Sequence, residues 1–225
     1  VNLSAGAIQA GDNAALGTGT VTFSGGRISS DSATIRALAN AFVMSGTLGL
    51  GNAVNSGALT LSGNIALGTA TTLTVASAAT ISGIVSGANS FTKEGASELT
   101  LSGTNTFSGP TTVNSGTLTL SGGNALADSM AVTVSAGGTL KLASNEEIAS
   151  LAGAGVVDLQ NSELTVSGTA STTFSGLITN NNGVLVKNGA SVLTLTGNNN
   201  YVGGTRLSNG AIEAGNNSAF GSGTI

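Results

Sequence analysis

The chain has 225 residues, a net charge of −4 from six basic and ten acidic side chains, 35 glycines and a 40% hydrophobic fraction. So little charge beside so much β-branched and aliphatic content excludes a disordered chain, and the lack of any basic cluster excludes a nucleic-acid partner or an electrostatically held membrane surface mode. With no cysteine and no histidine, disulfides, Cys/His metal sites and Cys-His or Ser-His-Asp catalysis are excluded as well.

Short runs in which apolar residues alternate with Thr or Ser recur along the whole chain. They begin with Thr20 to Phe23, Ala58 to Leu61 and Thr72 to Val75, and continue through Glu98 to Leu101, Thr117 to Leu120 and Ala131 to Val134. Thr139 to Leu142, Glu163 to Val166 and Val192 to Leu195 complete the series. Apolar positions two apart share one face of a strand, so each run predicts a half-buried strand. Ser-Gly, Gly-Gly, Asn-Gly and Ala-Gly pairs between the runs supply tight corners.

Two stretches carry a competing pattern. From Asp31 to Ser45 the residues Ile35, Leu38, Ala39 and Phe42 have helical spacing, and from Asn145 to Leu151 Asn145 stands as a helix cap. Glycines at 46, 49 and 51, and at 153 and 155, close both quickly and favour strand. No window approaches the 18 or so uninterrupted apolar residues of a membrane-spanning helix. Val1 opens the sequence inside a strand-like phrase without an initiator methionine, which reads as an excerpt of a longer protein.

The chain also repeats itself. LTLSGTNTFSGPTTVNSGTLTL, from Leu99 to Leu120, returns as LTLTGNNNYVGGTRLSNGAIEA from Leu193 to Ala214, a displacement of 94 residues without a gap. Lys187 to Leu193 answers Lys93 to Leu99 at the same displacement, and Leu3 to Asn13 parallels Leu207 to Asn217 at 204. These relations divide the chain into units at approximately 81–174 and 175–225, the second incomplete, with a partial unit at 1–26. Segment 27–72 matches poorly and is expected to hold irregular coils.

Strand cores spaced by roughly 20 residues predict an all-β fold, a parallel β-helix (solenoid) of roughly 10 to 12 coils forming a single segment over 1–225. Its structural core is expected in ladders that include Leu59, Leu61, Leu99, Leu101, Leu118, Leu120, Leu193 and Leu195. Phe107 and Tyr201 share one position of the repeat and read as a flat plug at a recurring corner, with a binding stripe as the weaker reading.

The phrases IASLAGAGVVDL at 148–159, TTFSGLI at 172–178, GVLVKNGASVLTLTGNNNYVGGTRLSNGAIEAG at 183–215 and NSAFGSGTI at 217–225 resemble the passenger-associated transport repeat of Gram-negative autotransporters. A second copy lies at 93–126. The resemblance implies a right-handed parallel β-helix, exported through the periplasm to the bacterial cell surface or the medium. It further implies a cis partner, an outer-membrane β-barrel translocator outside this segment. The implied role is a structural stalk that supports translocation and surface display. A direct adhesin, attaching to a host surface or self-associating, is the alternative. Pro110 departs from the pattern, standing where the other copy has Gly204.

Catalysis receives little support, and no cofactor is expected. A polysaccharide-cleaving β-helix needs two carboxylates across a cleft; stacked coils would bring Glu146 or Glu147 near Asp128 or Glu163, yet no aromatic subsite accompanies them. Solvated acids near turns are the favoured reading. Lys93 and Lys187, at one repeat position, read as caps of an exposed turn, with contact to anionic glycans as the lesser alternative.

Overall fold

The computed structural model describes residues 1–54, 56–180 and 182–225; Asn55, inside the 27–72 segment, and Asn181 lie outside the described residues. All regular elements among the described residues are β-strands, and the strands pair in parallel, coil upon coil. The result is a right-handed parallel β-helix of about 11 turns, the hand that parallel crossovers adopt.

Alternation in sequence becomes inside and outside. In the strand Leu59–Leu61 both leucines are enclosed while Thr60 between them faces outward, and Leu99–Leu101 repeats the pattern. Stacking then joins the inward residues into columns. One runs Leu59, Ala79, Leu99, Leu118, Leu140, Val157, Ile178. Its neighbour runs Leu38, Leu61, Ile81, Leu101, Leu120, Leu142. Each enclosed leucine contributes roughly 2 kcal/mol of transfer free energy before entropy is subtracted. Leu193 and Leu195 are enclosed too, but they stand on another face, Leu195 in the column Lys93, Val113, Val134, Gly153, Phe174, Leu195 and Leu193 stacked on Thr172.

That displacement shows how the sequence repeat relates to the coil. Four coils carry the Lys93 column to Phe174, short of the full repeat. Lys187 comes later in the same coil, between Val166 and Leu207 in a separate group of four strands. The repeat unit therefore equals four coils plus about two-thirds of another. Copies of the repeat do not stack on themselves; they are rotated around the rod.

The segment from Asp31 to Ser45 forms no helix. Its strands are Arg36–Leu38 and Phe42–Leu50, with Leu38, Phe42 and Met44 inward and Ile35 67% exposed. Period two wins over period 3.6 because the coils on either side offer ladder partners. From Asn145 to Leu151 the strands Glu146–Ile148 and Ser150–Gly153 likewise replace a helical turn. Segment 27–72 stays in the stack, but its coils are longer. The ladder takes Leu50 to Val75 and Leu38 to Leu61, each a longer stretch of chain than the next coil uses to take Leu61 to Ile81. A register shift between Met44 and Gly46 takes up part of the excess.

Corners are set by close approach. A Cβ on Gly63 would lie 2.0 Å from the Asn40 carbonyl oxygen, one on Gly83 2.0 Å from that of Gly63, and one on Gly103 2.4 Å from that of Gly83. The coil beneath thus fills the space a side chain would take. Gly83→Ala is expected to lower unfolding free energy by about 1–3 kcal/mol through overpacking. Gly19→Ala, whose Cβ would meet nothing within 4 Å, should leave stability within about 0.5 kcal/mol. Urea unfolding of the two variants checks the contrast.

Candidate functional site

The lysine, asparagine and aromatic positions that recur in the repeat lie inside the rod. Lys93 and Lys187 are both 0% exposed, which corrects their reading as exposed caps. The cause is strand phase: Phe91 and Lys93 point inward and Thr92 outward. The amines still cap a turn, but from within. Lys93 Nζ donates to the carbonyls of Glu94 at 3.0 Å, Gly95 at 2.7 Å and Ser115 at 2.9 Å, and Lys187 Nζ donates to Gly189 at 2.5 Å. Gly189 holds the repeat position of Gly95, so one device serves both copies. Burial pushes the Lys93 amine down to about 8, against a smaller opposing pull from the Glu94 charge; it lowers Lys187 as well. Enclosed amines do not reach a surface glycan.

A pair of buried asparagines stitches coils together. Asn105 Oδ1 accepts the Val85 N–H at 2.7 Å while its amide donates to the Ala125 carbonyl at 2.7 Å, spanning the coils on either side. Asn199, its counterpart in the second copy, accepts from Ile178 at 2.7 Å and donates to Ala219 at 2.6 Å. Sequence reasoning passed over both. Their signal was present in the alignment of GTNTF with GNNNY, where Asn is kept while its neighbours vary. A buried amide bonded to the coils on both sides fixes their register.

The aromatic position has two versions. Phe107 meets Phe91 edge-on at a centroid distance of 6.0 Å. Tyr201 places its hydroxyl 2.5 Å from Thr205 Oγ1. Thr111 stands where Thr205 does in the other copy, and its hydroxyl is buried with no partner among the described residues. Both rings are enclosed and lie on different faces of the rod, so they form no stripe. The two corners also differ at Gly204, whose φ of +102° is closed to the proline at 110. Each nonetheless presents its carbonyl in the same way, Pro110 to the Phe91 N–H at 3.0 Å and Gly204 to the Leu185 N–H at 3.1 Å.

Of the acids, Asp128, Glu146, Glu147 and Glu163 line one shallow cleft with Asn124 and Thr165. Glu146 and Glu163 are already engaged. Glu146 is 3% exposed and accepts the backbone N–H groups of Leu126 at 2.6 Å and Ala125 at 3.3 Å. Burial raises it to about 7, the two N–H bonds hold it down in part, and Asp128 adds a further upward push. Glu163 is paired with Arg206 at 3.2 Å. No group of three or more His, Cys, Asp or Glu suited to a metal ion occurs among the described residues.

These arrangements make two stability predictions. Tyr201→Phe should cost about 1–2 kcal/mol by leaving Thr205 short of its hydroxyl partner, while Phe107→Tyr should gain up to ~1 kcal/mol by supplying one to Thr111; denaturant unfolding of both reads the difference. With pH, Glu146 has a folded pKa above its ordinary 4.5, so its contribution is full below 4.5 and lost as pH rises through about 7. Lys93 has a folded pKa below 10.5, so its contribution is full above 10.5 and lost as pH falls through about 8. Stability should therefore pass through a minimum between about pH 7 and 8. Glu146→Gln should flatten the acid limb and Lys93→Met the alkaline limb, both read by urea unfolding across pH.

Residues 91–120 and 185–214 each match the passenger-associated transport repeat. The adhesin BmaC autotransporter of Brucella suis biovar 1 (strain 1330) is 38% identical over 179 residues, which cover 75% of this chain and 5% of that protein. The chain thus spans a small part of the length of the curated relative it matches. No solved structure matches the chain. Two transport repeats wound into a right-handed parallel β-helix, with an autotransporter's sequence similarity over most of its coils, make this chain an autotransporter passenger domain.

Proposed function

We propose that the chain is a structural stalk: a length of passenger that supports translocation across the outer membrane and holds other parts of the protein at the cell surface. The observation that supports this reading most directly is where the recurrent chemistry sits. Lysine, asparagine and aromatic positions of the repeat are used inside the rod on corners and coil register, and no catalytic constellation is assembled from them among the described residues. The export route runs through the periplasm, and the partner is a cis β-barrel translocator belonging to the same polypeptide. A solenoid depends on contacts between neighbouring coils, so a coil leaving the membrane can dock on the one before it without waiting for a distant partner.

Direct adhesion or self-association is the second reading. It is favoured by the relative's designation as an adhesin and by a hydroxyl stripe in which Thr60, Thr80 and Thr100 stack in register, with Ser62, Ser82 and Ser102 two positions beyond. None of these hydroxyls is hydrogen-bonded within the described residues.

A register experiment separates the two. Phe91 and Thr111 are ladder partners, so deleting residues 91–110 from the parent protein removes one coil and rejoins the columns, whereas deleting 91–103 brings a strand onto the wrong face. A stalk should tolerate the first deletion at full surface display and lose display with the second, read by protease accessibility on intact cells. Equal loss of display in both would overturn the stalk reading. Aggregation of beads coated with the purified segment, abolished by Thr80→Lys, would establish the adhesive one in its place.

A further inference from the structure

Six basic residues occur in the chain, and the structure accounts for most of them. Lys93 and Lys187 are enclosed, Arg36 pairs with Asp31 at 2.9 Å and Arg206 with Glu163. Lys141 stacks between Thr119 and Asp158. Arg27 is different. It is exposed, forms no ion pair among the described residues, and makes a single long side-chain hydrogen bond of 3.5 Å to Asn52 Oδ1.

It also lies in the middle of a groove. The outward column on its face reads Ala7, Arg27, Gly49, Thr74 and then Glu94. Because Ala7 and Gly49 raise little or nothing above the sheet, the residues on either side of the guanidinium leave a trough of about 470 Å³, bordered by Gly6, Gly26, Thr47 and Ala76. The Arg27 stem leans over Gly49, where a Cβ would stand 3.2 Å from it. Thr47 and Thr74 contribute hydroxyls with no hydrogen bond among the described residues.

We infer that this groove binds a carboxylate-bearing sugar of an acidic glycan. A guanidinium free of internal carboxylates offers a planar fork that matches a carboxylate in two parallel hydrogen bonds. The flanking hydroxyls suit a ring rich in hydroxyl groups, and Leu48, the large apolar residue of the lining, is buried, so it offers no exposed anchor to a peptide side chain. The trough crosses four coils, from Ala7 to Thr74, and Glu94 follows Thr74 in the same outward column, so the carboxylate is held at Arg27, away from that acid. A net charge of −4 gives no general attraction to an acidic polymer, which places recognition on Arg27 itself. The inference goes beyond the stalk reading, and its failure leaves that reading untouched.

Uronate and sialate sources share this chemistry, and the titration distinguishes them. The purified segment is titrated by amide NMR with a glucuronate-containing tetrasaccharide, a sialylated trisaccharide and a neutral tetrasaccharide of glucose. At least one acidic probe should give saturable shifts centred on Gly26, Arg27, Gly49 and Thr74, and the neutral probe should give none. Arg27→Gln should weaken binding at least about tenfold, Arg27→Lys should weaken it less by keeping the charge and losing the fork, and raised salt should weaken the wild type. Gly49→Val keeps the charge but displaces the Arg27 stem that leans over Gly49, so it should abolish binding while the backbone spectrum stays folded. Lys141→Gln should change nothing. Equal shifts from the neutral probe, no saturable shift from either acidic probe at millimolar concentration, or undiminished binding by Arg27→Gln would each overturn the inference.

Discussion

The spacing between coils governs everything else in this molecule. Parallel strands about 4.8 Å apart place an inward leucine directly on its counterpart, and only that contact removes both from water. A single coil has only a few such side chains on each face and no core of its own. The same approach that closes the columns also brings each carbonyl corner onto the next, so Gly63, Gly83 and Gly103 are required where a Cβ would meet an oxygen at 2.0 to 2.4 Å. Burial and corner chemistry are therefore one constraint seen from two sides.

An interior built this way tolerates few unsatisfied polar groups, yet the repeat places lysine and asparagine there. The backbone explains why they persist. Where the chain turns between faces, carbonyls and N–H groups lose their ladder partners, and a long or branched polar side chain from the neighbouring strand supplies the missing bond. Lys93 gathers three such carbonyls, Asn105 joins one N–H and one carbonyl two coils apart, and Glu146 takes two N–H groups. Each is costly to bury and costlier to remove, since deletion leaves the turn groups unpaired.

Much of the fold was legible because alternation is a local signal. Leu-Thr-Leu at 59–61, 99–101 and 118–120 states its own inside and outside, and the spacing of such runs fixes the coil. The inward position of Lys93 was not legible, because charge in a sequence normally marks solvent; the residue is inward only by its phase with Phe91, and that phase overrides its chemistry. The helical spacing of Ile35, Leu38 and Phe42 misled for a related reason, since tertiary pairing decides between two periods that a short window supports equally. Glu146 likewise reads as a turn acid until the N–H groups of Ala125 and Leu126 are seen to need it.

The mismatch between repeat and coil bears on what the surface can display. A unit that returned after a whole number of coils would stack equivalent side chains into a stripe and build one long site from weak copies. At four and about two-thirds coils, equivalent outward positions are carried around the rod, and only the interior devices, which act within a coil and its neighbours, gain from being repeated. Selection on the repeat is thereby selection for winding, not for a surface. Individual chemistry must arise where the repeat lapses, and the longer coils between Arg27 and Val75 are such a place: Gly49 and Ala7 lower the wall on both sides of a guanidinium that no internal acid has claimed.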